Sequence, residues 1–164
     1  MNTMANTKAK LKIGIPRALL YHKYGVRWEA FWRALGVDVV VSPQTNRQII
    51  ARGINLAVDE SCLSVKIYLG HVDWLKDKCD AVFVPHYERA KRNEEICVKF
   101  MGLNDIVRNT FRDIKIIDYT VDAARHKNEF WGLFWAGCRV CANPLKSFAA
   151  CLRAQASFEQ SEAQ

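Results

Sequence analysis

The sequence carries none of the loops that mark the common nucleotide- and ester-handling enzymes. It has no G-x-G-x-x-G and no G-x-x-x-x-G-K-S/T, so neither glycine-rich phosphate cradle is present. It has no G-x-S-x-G elbow to hold a serine nucleophile. No apolar run approaches the roughly 20 residues that cross a bilayer as a helix. Met1 to Lys10 is polar and lacks the apolar segment of a secretion signal. Internal repeats, low-complexity tracts and a long basic tail are all missing, and the densest charge cluster is Glu88-Arg89-Ala90-Lys91-Arg92. These absences predict a cytoplasmic chain that stays out of membranes, where cysteines remain reduced and are buried, catalytic or metal-bound.

What is present is a core-forming composition. Of 164 residues, 50% are hydrophobic and 25% charged, enough to bury a core without covalent staples. The net charge of +7 is dispersed. A solvated surface is its simplest explanation. The field otherwise suits an acidic protein partner or a phosphate-bearing group, and nucleic acid ranks last. The six cysteines are Cys62, Cys79, Cys97, Cys138, Cys141 and Cys151.

Strand and helix patterns alternate along the chain. Lys12 to Pro16 reads as a strand and Ala18 to Leu35 as a helix, with Trp28, Phe31, Trp32 and Leu35 on one face and Gly36 ending it. Val37 to Val41 reads as a buried strand. A helix-starting loop over residues 42–46 then leads to a short helix ending at Gly53. After the apolar segment Ile54 to Val58, a helix is predicted from Leu63 to Lys76, a strand over Ala81 to Pro85, and a polar loop from His86 to Ile96. A helix from Cys97 to Phe111 and a strand over Ile114 to Asp118 follow. The remainder reads as helices: Asp122 to Cys141 with a stripe of Phe130, Phe134, Cys138 and Cys141, then one opened by Asn143-Pro144 carrying Leu145, Phe148, Ala149 and Leu152.

This order predicts a flavodoxin-like or Rossmann-like three-layer α/β sandwich, with a four- to five-stranded, mostly parallel sheet and a C-terminal helical hairpin. The expected division is a flexible N-terminus (1–10), an α/β domain (11–120), the hairpin packed on it (121–158) and a frayed tail (159–164).

In an open parallel sheet, ligands lie at the carboxyl ends of the strands. Pro16, Arg17, Pro43, Asn46, Glu60 to Cys62, Pro85 and His86 fall there, and Cys97 ends the loop that Pro85 starts. One rim can therefore gather Cys62, His86 and Cys97. Cys62 and Cys97 each precede or open a predicted helix. Free N–H groups and the positive helix end there favour a thiolate, the form a metal requires. The competing reading for each is a buried free cysteine. Cys138-Arg139-Val140-Cys141 has the C-x-x-C spacing of metal and redox sites but lies within the helical stripe of Phe130 and Phe134, without a second pair, and so reads as packing. Cys79 and Cys151 read the same way. Trp28, Trp32, Trp74, Trp131 and Trp135 read as core or interface residues rather than a base-stacking platform.

Several segments, in order, resemble one family. They are Lys12-Ile13-Gly14-Ile15-Pro16-Arg17-Ala18-Leu19, Trp28-Glu29-Ala30-Phe31-Trp32, Leu35 to Ser42, and Asp59-Glu60-Ser61-Cys62-Leu63-Ser64-Val65-Lys66, which is similar to E-S-x-C-x-P-x-K. Gly70-His71-Val72, Phe83-Val84-Pro85, Cys97 and Ile106-Val107-Arg108-Asn109 follow. Together they resemble the N-terminal domain of 2-hydroxyacyl-CoA dehydratase and CoA-substrate-specific enzyme activase-related proteins. The resemblance implies that Cys62 and Cys97 are ligands of a 4Fe–4S cluster serving low-potential electron transfer in anaerobic metabolism. It further implies that Glu60 and Lys66 tune the site, and that the chain works in an acyl-CoA dehydratase (a lyase) or an ATP-coupled reductase. The chain departs from the pattern at Ser64 and Val98, where prolines are usual, and at His86, where larger relatives place a cysteine; histidine can also ligate iron. Two cysteines fall short of the four usual in such a cluster. The resemblance therefore implies a second copy or a further dehydratase- or activase-type subunit completing it. The alternatives are an interaction domain that keeps the fold without a cluster, or a module binding CoA or acyl-CoA.

Overall fold

The computed structural model describes residues 10–89, 96–122, 125 and 128–163. The expected flexible N-terminus up to residue 9, positions 90–95 of the expected polar loop, and residue 164 lie outside them. In chain order the elements are β1 (Lys12–Ile15), α1 (Tyr21–Ala34), β2 (Asp38–Val41), α2 (Arg47–Leu56), α3 (Leu63–Leu75) and β3 (Ala81–Arg89). They continue with α4 (Val98–Met101), α5 (Leu103–Thr110), β4 (Ile116–Asp122), α6 (Glu129–Cys141) and α7 (Pro144–Glu162). The strand order is β2-β1-β3-β4 and every pairing is parallel. The chain steps outward from β1 to β2, then returns to the far side of β1 with β3, so the switch point lies between β1 and β3. The expected α/β sandwich is observed, with four strands. Among the described residues no helix is long and apolar enough to cross a membrane.

Strand alternation sends successive side chains to opposite layers. Ile13, Ile15, Phe83, Tyr87, Tyr119 and Val121 face α1, α6 and α7, in a layer filled by Trp28, Phe31, Trp32 and Leu133. Val82 and Val84 face the other way, against Val65, Leu69, Val72 and Leu75 of α3 and Leu103 and Val107 of α5. Outside this second layer, α2 crosses α3 at two glycines. A Cβ on Gly53 would run into the Lys66 carbonyl, and one on Gly70 into the Ile49 carbonyl. The Arg52–Asp73 ion pair at 3.0 Å closes the same crossing.

Several expected boundaries move: β4 covers Ile116–Asp122 rather than Ile114–Asp118, α6 starts at Glu129 rather than Asp122, and the helix expected over Cys97–Phe111 is split into α4 and α5. Three further changes have a visible reason. Gly53 does not end α2; it is the packing point just described, and the helix runs on to Leu56. Pro85 does not end β3. Val82 donates to the Lys115 carbonyl, so alternation turns the Pro85 nitrogen toward β1. That strand ends at Ile15, so the missing N–H leaves no ladder bond unmade. The strand continues to Arg89, and His86 is therefore a strand residue opposite Thr120. At the other end of the chain, α7 runs to Glu162, into the stretch 159–164 that was expected to fray. Phe158 is buried beneath the Arg27 guanidinium, 4.0 Å from the ring centre, and stacks on Tyr24.

Besides its apolar packing on α1 and the sheet, the hairpin is tied to the sandwich by a buried cation. Arg27 of α1 pairs with Glu129 of α6 and donates to the Gln155 side chain of α7 at 2.9 Å. Glu129 also accepts from Tyr87, whose hydroxyl lies 2.5 Å from that of Tyr119.

Candidate functional site

A crossover helix in a parallel sheet starts near the carboxyl ends of the strands and returns to their amino ends. The segment α2–α3 leads to β3 and α4–α5 leads to β4. Both cysteines singled out by the sequence therefore open helices at the same rim, on the face covered by α3 and α5. Cys62 is the N-cap of α3; its carbonyl accepts from Val65 and Lys66, both at 3.1 Å, and its thiol caps nothing. Cys97 is the N-cap of α4, its carbonyl accepting from Phe100 at 2.8 Å. Both thiols are exposed. His86 has the strand parity of Val82 and Val84, so it faces the same layer, half-buried.

The other cysteines are packing residues, as expected. Cys151 is buried, which pushes its thiol up to about 12. Burial also raises Cys79, whose Sγ donates to the Leu75 carbonyl. Cys138 and Cys141 are half-buried in the hairpin.

Beneath the rim lies a polar network to which the sequence reading gave no role. The Arg17 backbone N–H donates to Ser42 Oγ at 2.7 Å. Ser42 Oγ lies 2.8 Å from His71 Nδ1, and Thr45 Oγ1 lies 3.0 Å from His71 Nε2. His71 is fully buried. Burial, reinforced by His22 and Arg17, pushes its imidazole down to about 4. At neutral pH the ring is therefore uncharged and offers one donor and one acceptor, which two hydroxyls can satisfy. The network ties the β1–α1 turn, the β2–α2 loop and α3 together. Above it a hollow of about 170 Å³ is lined by Ala18, Leu19, His22, Thr45, Ser64 and Ile67. The available signal was a histidine inside an apolar helix, nine positions after Cys62, with the hydroxyl residues Ser42 and Thr45 in the loop that follows β2.

Lys66 Nζ donates to the Asp59 carbonyl at 3.1 Å, closing the loop that carries Cys62. Glu60 is exposed at the tip of that loop. Cys62, Cys97 and His86 share a rim and a face. Among the described residues, however, no three His, Cys, Asp or Glu side chains are grouped so as to hold a metal ion. One copy of the chain thus brings two exposed thiols to the rim, fewer than the four thiolates a cluster takes.

Residues 12–164 match the family model described as the CoA enzyme activase uncharacterised domain. No curated protein and no solved structure matches the chain.

Proposed function

The chain belongs to the CoA enzyme activase uncharacterised-domain family, and from that premise we propose that it is the iron–sulfur module of a 2-hydroxyacyl-CoA dehydratase-like or activase-associated electron-transfer system. In this reading Cys62 and Cys97 supply part of the ligand set of a 4Fe–4S cluster, and a dehydratase- or activase-type polypeptide supplies the rest. The observation that carries it is the exposure of both thiols at helix starts on one rim, while Cys79 and Cys151 are held in packing. A shared site is supported by the apolar side chains left open beside the thiols: Val58, Leu63, Val98 and Met101 are all exposed.

When bound, such a cluster would supply one-electron chemistry. The chain's own contribution is positional. Lys66 fixes the Asp59–Cys62 loop, the His71 network fixes α3 under it, and Glu60 adjusts the charge near Cys62. The half-buried His86 is a further candidate ligand on the same face.

Anaerobic purification with iron and sulfide analysis, in the presence of the copurifying subunit, tests the reading. The expected result is a brown complex with about four irons per cluster. Colour should be lost in Cys62→Ala and Cys97→Ala and kept in Cys151→Ala. An iron-free complex after reconstitution would sink it and leave the second reading, a scaffold that binds partners without a cluster. That reading is favoured by the lack of a three-ligand group among the described residues.

A further inference from the structure

The sheet ends on an open strand. Val82 donates to the Lys115 carbonyl. In the parallel register of Val82 with Ile116, the odd-numbered residues of β4 therefore turn their backbone groups to β3 and the even-numbered ones turn them outward. The outward set is Ile116, Asp118 and Thr120, none of them buried. Among the described residues nothing bonds to the N–H groups of these three, nor to the carbonyls of Ile116 and Thr120. The Asp118 carbonyl meets Arg139 Nη1 at 3.4 Å. Such a row is a template for one more strand.

A cleft of about 370 Å³ lies beside this edge, between β4 and α6. Asp118, Tyr119 and Thr120 form one wall, and Trp131, Trp135 and Arg139 the other. Gly132 lets the two walls meet. A Cβ there would strike the Tyr119 ring and come to 3.0 Å from the Thr120 carbonyl. The indoles are not used up by the fold, Trp131 being 46% exposed and Trp135 61%. A strand added to β4 would send every second side chain toward α6, where an apolar one enters the cleft. Main-chain pairing combined with a pocket for alternate side chains is the pattern of β-strand addition.

Charge selects the occupant. Asp118 Oδ1 is approached by Arg139 at 3.1 Å and by Arg108 at 3.7 Å, so one carboxylate answers two guanidinium groups. A second copy paired through β4 would double that excess. A segment carrying a carboxylate would balance it, and would draw Arg139 off the Asp118 carbonyl, freeing that acceptor for the ladder.

We propose that the β4 edge receives an extended acidic segment of a partner polypeptide as a fifth strand, with an apolar side chain against Trp131 and Trp135 and a carboxylate on Arg139. The edge runs along the side of the sheet, whereas Cys62 and Cys97 stand on its carboxyl rim. The proposal holds whether or not the thiols bind a cluster.

Amide exchange and calorimetry of the full chain with a synthetic probe test it. The probe is a peptide of about seven residues, alternating phenylalanine or valine with glutamate. It should slow exchange of the Ile116, Asp118 and Thr120 amides at least about tenfold. Methylating every second amide nitrogen of the peptide should abolish binding in the register that faces β4 and spare it in the other. Exchanging its glutamates for lysines should weaken binding about tenfold, as should Trp135→Ala. Thr120→Pro removes an N–H that bonds to nothing, so its circular dichroism should match wild type while the peptide no longer binds. Should that variant unfold, the methylated and lysine peptides on the wild-type chain decide. Unchanged exchange at the three amides with millimolar peptide, binding that survives both methylation registers, or a lysine peptide that binds equally well would each overturn the proposal. So would a chain that sediments as a dimer with those amides already protected.

Discussion

The two sides of the sheet are filled by different chemistry, and the difference follows what each side carries. On the α1–α6–α7 side, Phe83 stacks on Tyr119 and meets Trp28 and Trp32 edge-on, in a layer of large rings. On the α3–α5 side, Val65, Leu69, Val72, Leu75, Val82, Val84, Leu103 and Val107 make a thinner aliphatic layer. The ring layer is thick enough to support a two-helix appendage through Arg27. The thin layer lets α3 lie close to the sheet and lets α2 close on α3 at two glycines. Bulk serves attachment on one side, and close approach serves a fixed rim on the other.

Truncation should expose the difference first. Trp32→Ala empties the ring layer and should cost about 4 kcal/mol in urea unfolding, while Leu69→Ala in the aliphatic layer should cost about 3 kcal/mol. Equal losses, or the reverse order, would show that the two layers do not differ as described.

Acidification should act through the aliphatic side alone. His71 titrates near 6.5 when unfolded and at about 4 when folded. The unfolded chain takes up the proton first, so this contribution is full above pH 6.5 and is lost as the pH falls toward 4. The loss is about 3 kcal/mol, read as a falling urea midpoint. His71→Gln should flatten that slope, whereas Trp32→Ala should leave it intact.

A smaller effect is expected at the helix crossing. Gly53→Ala should cost about 2 kcal/mol by forcing α2 off α3, with increased amide exchange in the loop around Cys62. Smallest of all, Trp135→Ala should shift monomer stability by no more than about 0.5 kcal/mol, because its ring is largely in solvent. A large loss there would show that the outer hairpin face packs on its own chain.

The layer order, the parallel sheet and the helix stripes were legible because burial on a sheet face writes itself into periodicity. Trp28, Phe31 and Trp32 mark the inner face of α1, and Asn46 and Asn143 mark helix starts by their capping chemistry. Gly53 and Pro85 misled because each carries two meanings. A glycine stops a helix or admits a neighbour, and a proline ends a strand or occupies a position whose N–H has no partner. Only the third dimension tells which applies. Cys62 and Cys97 were legible as helix starts, but their exposure was not, since a buried free cysteine suited the same positions. The His71 network was not, since its hydroxyl partners are 29 and 26 residues away and no local pattern links them.

The contact of α2 with α3 has a mechanical consequence. Where two backbones touch without intervening side chains, nothing soft remains to absorb a displacement. The connection bearing Cys62 is therefore clamped at both ends and cannot swing to meet an incoming molecule. Under the proposed role of Cys62 as a ligand, an incoming group would have to match the position of that sulfur rather than displace it.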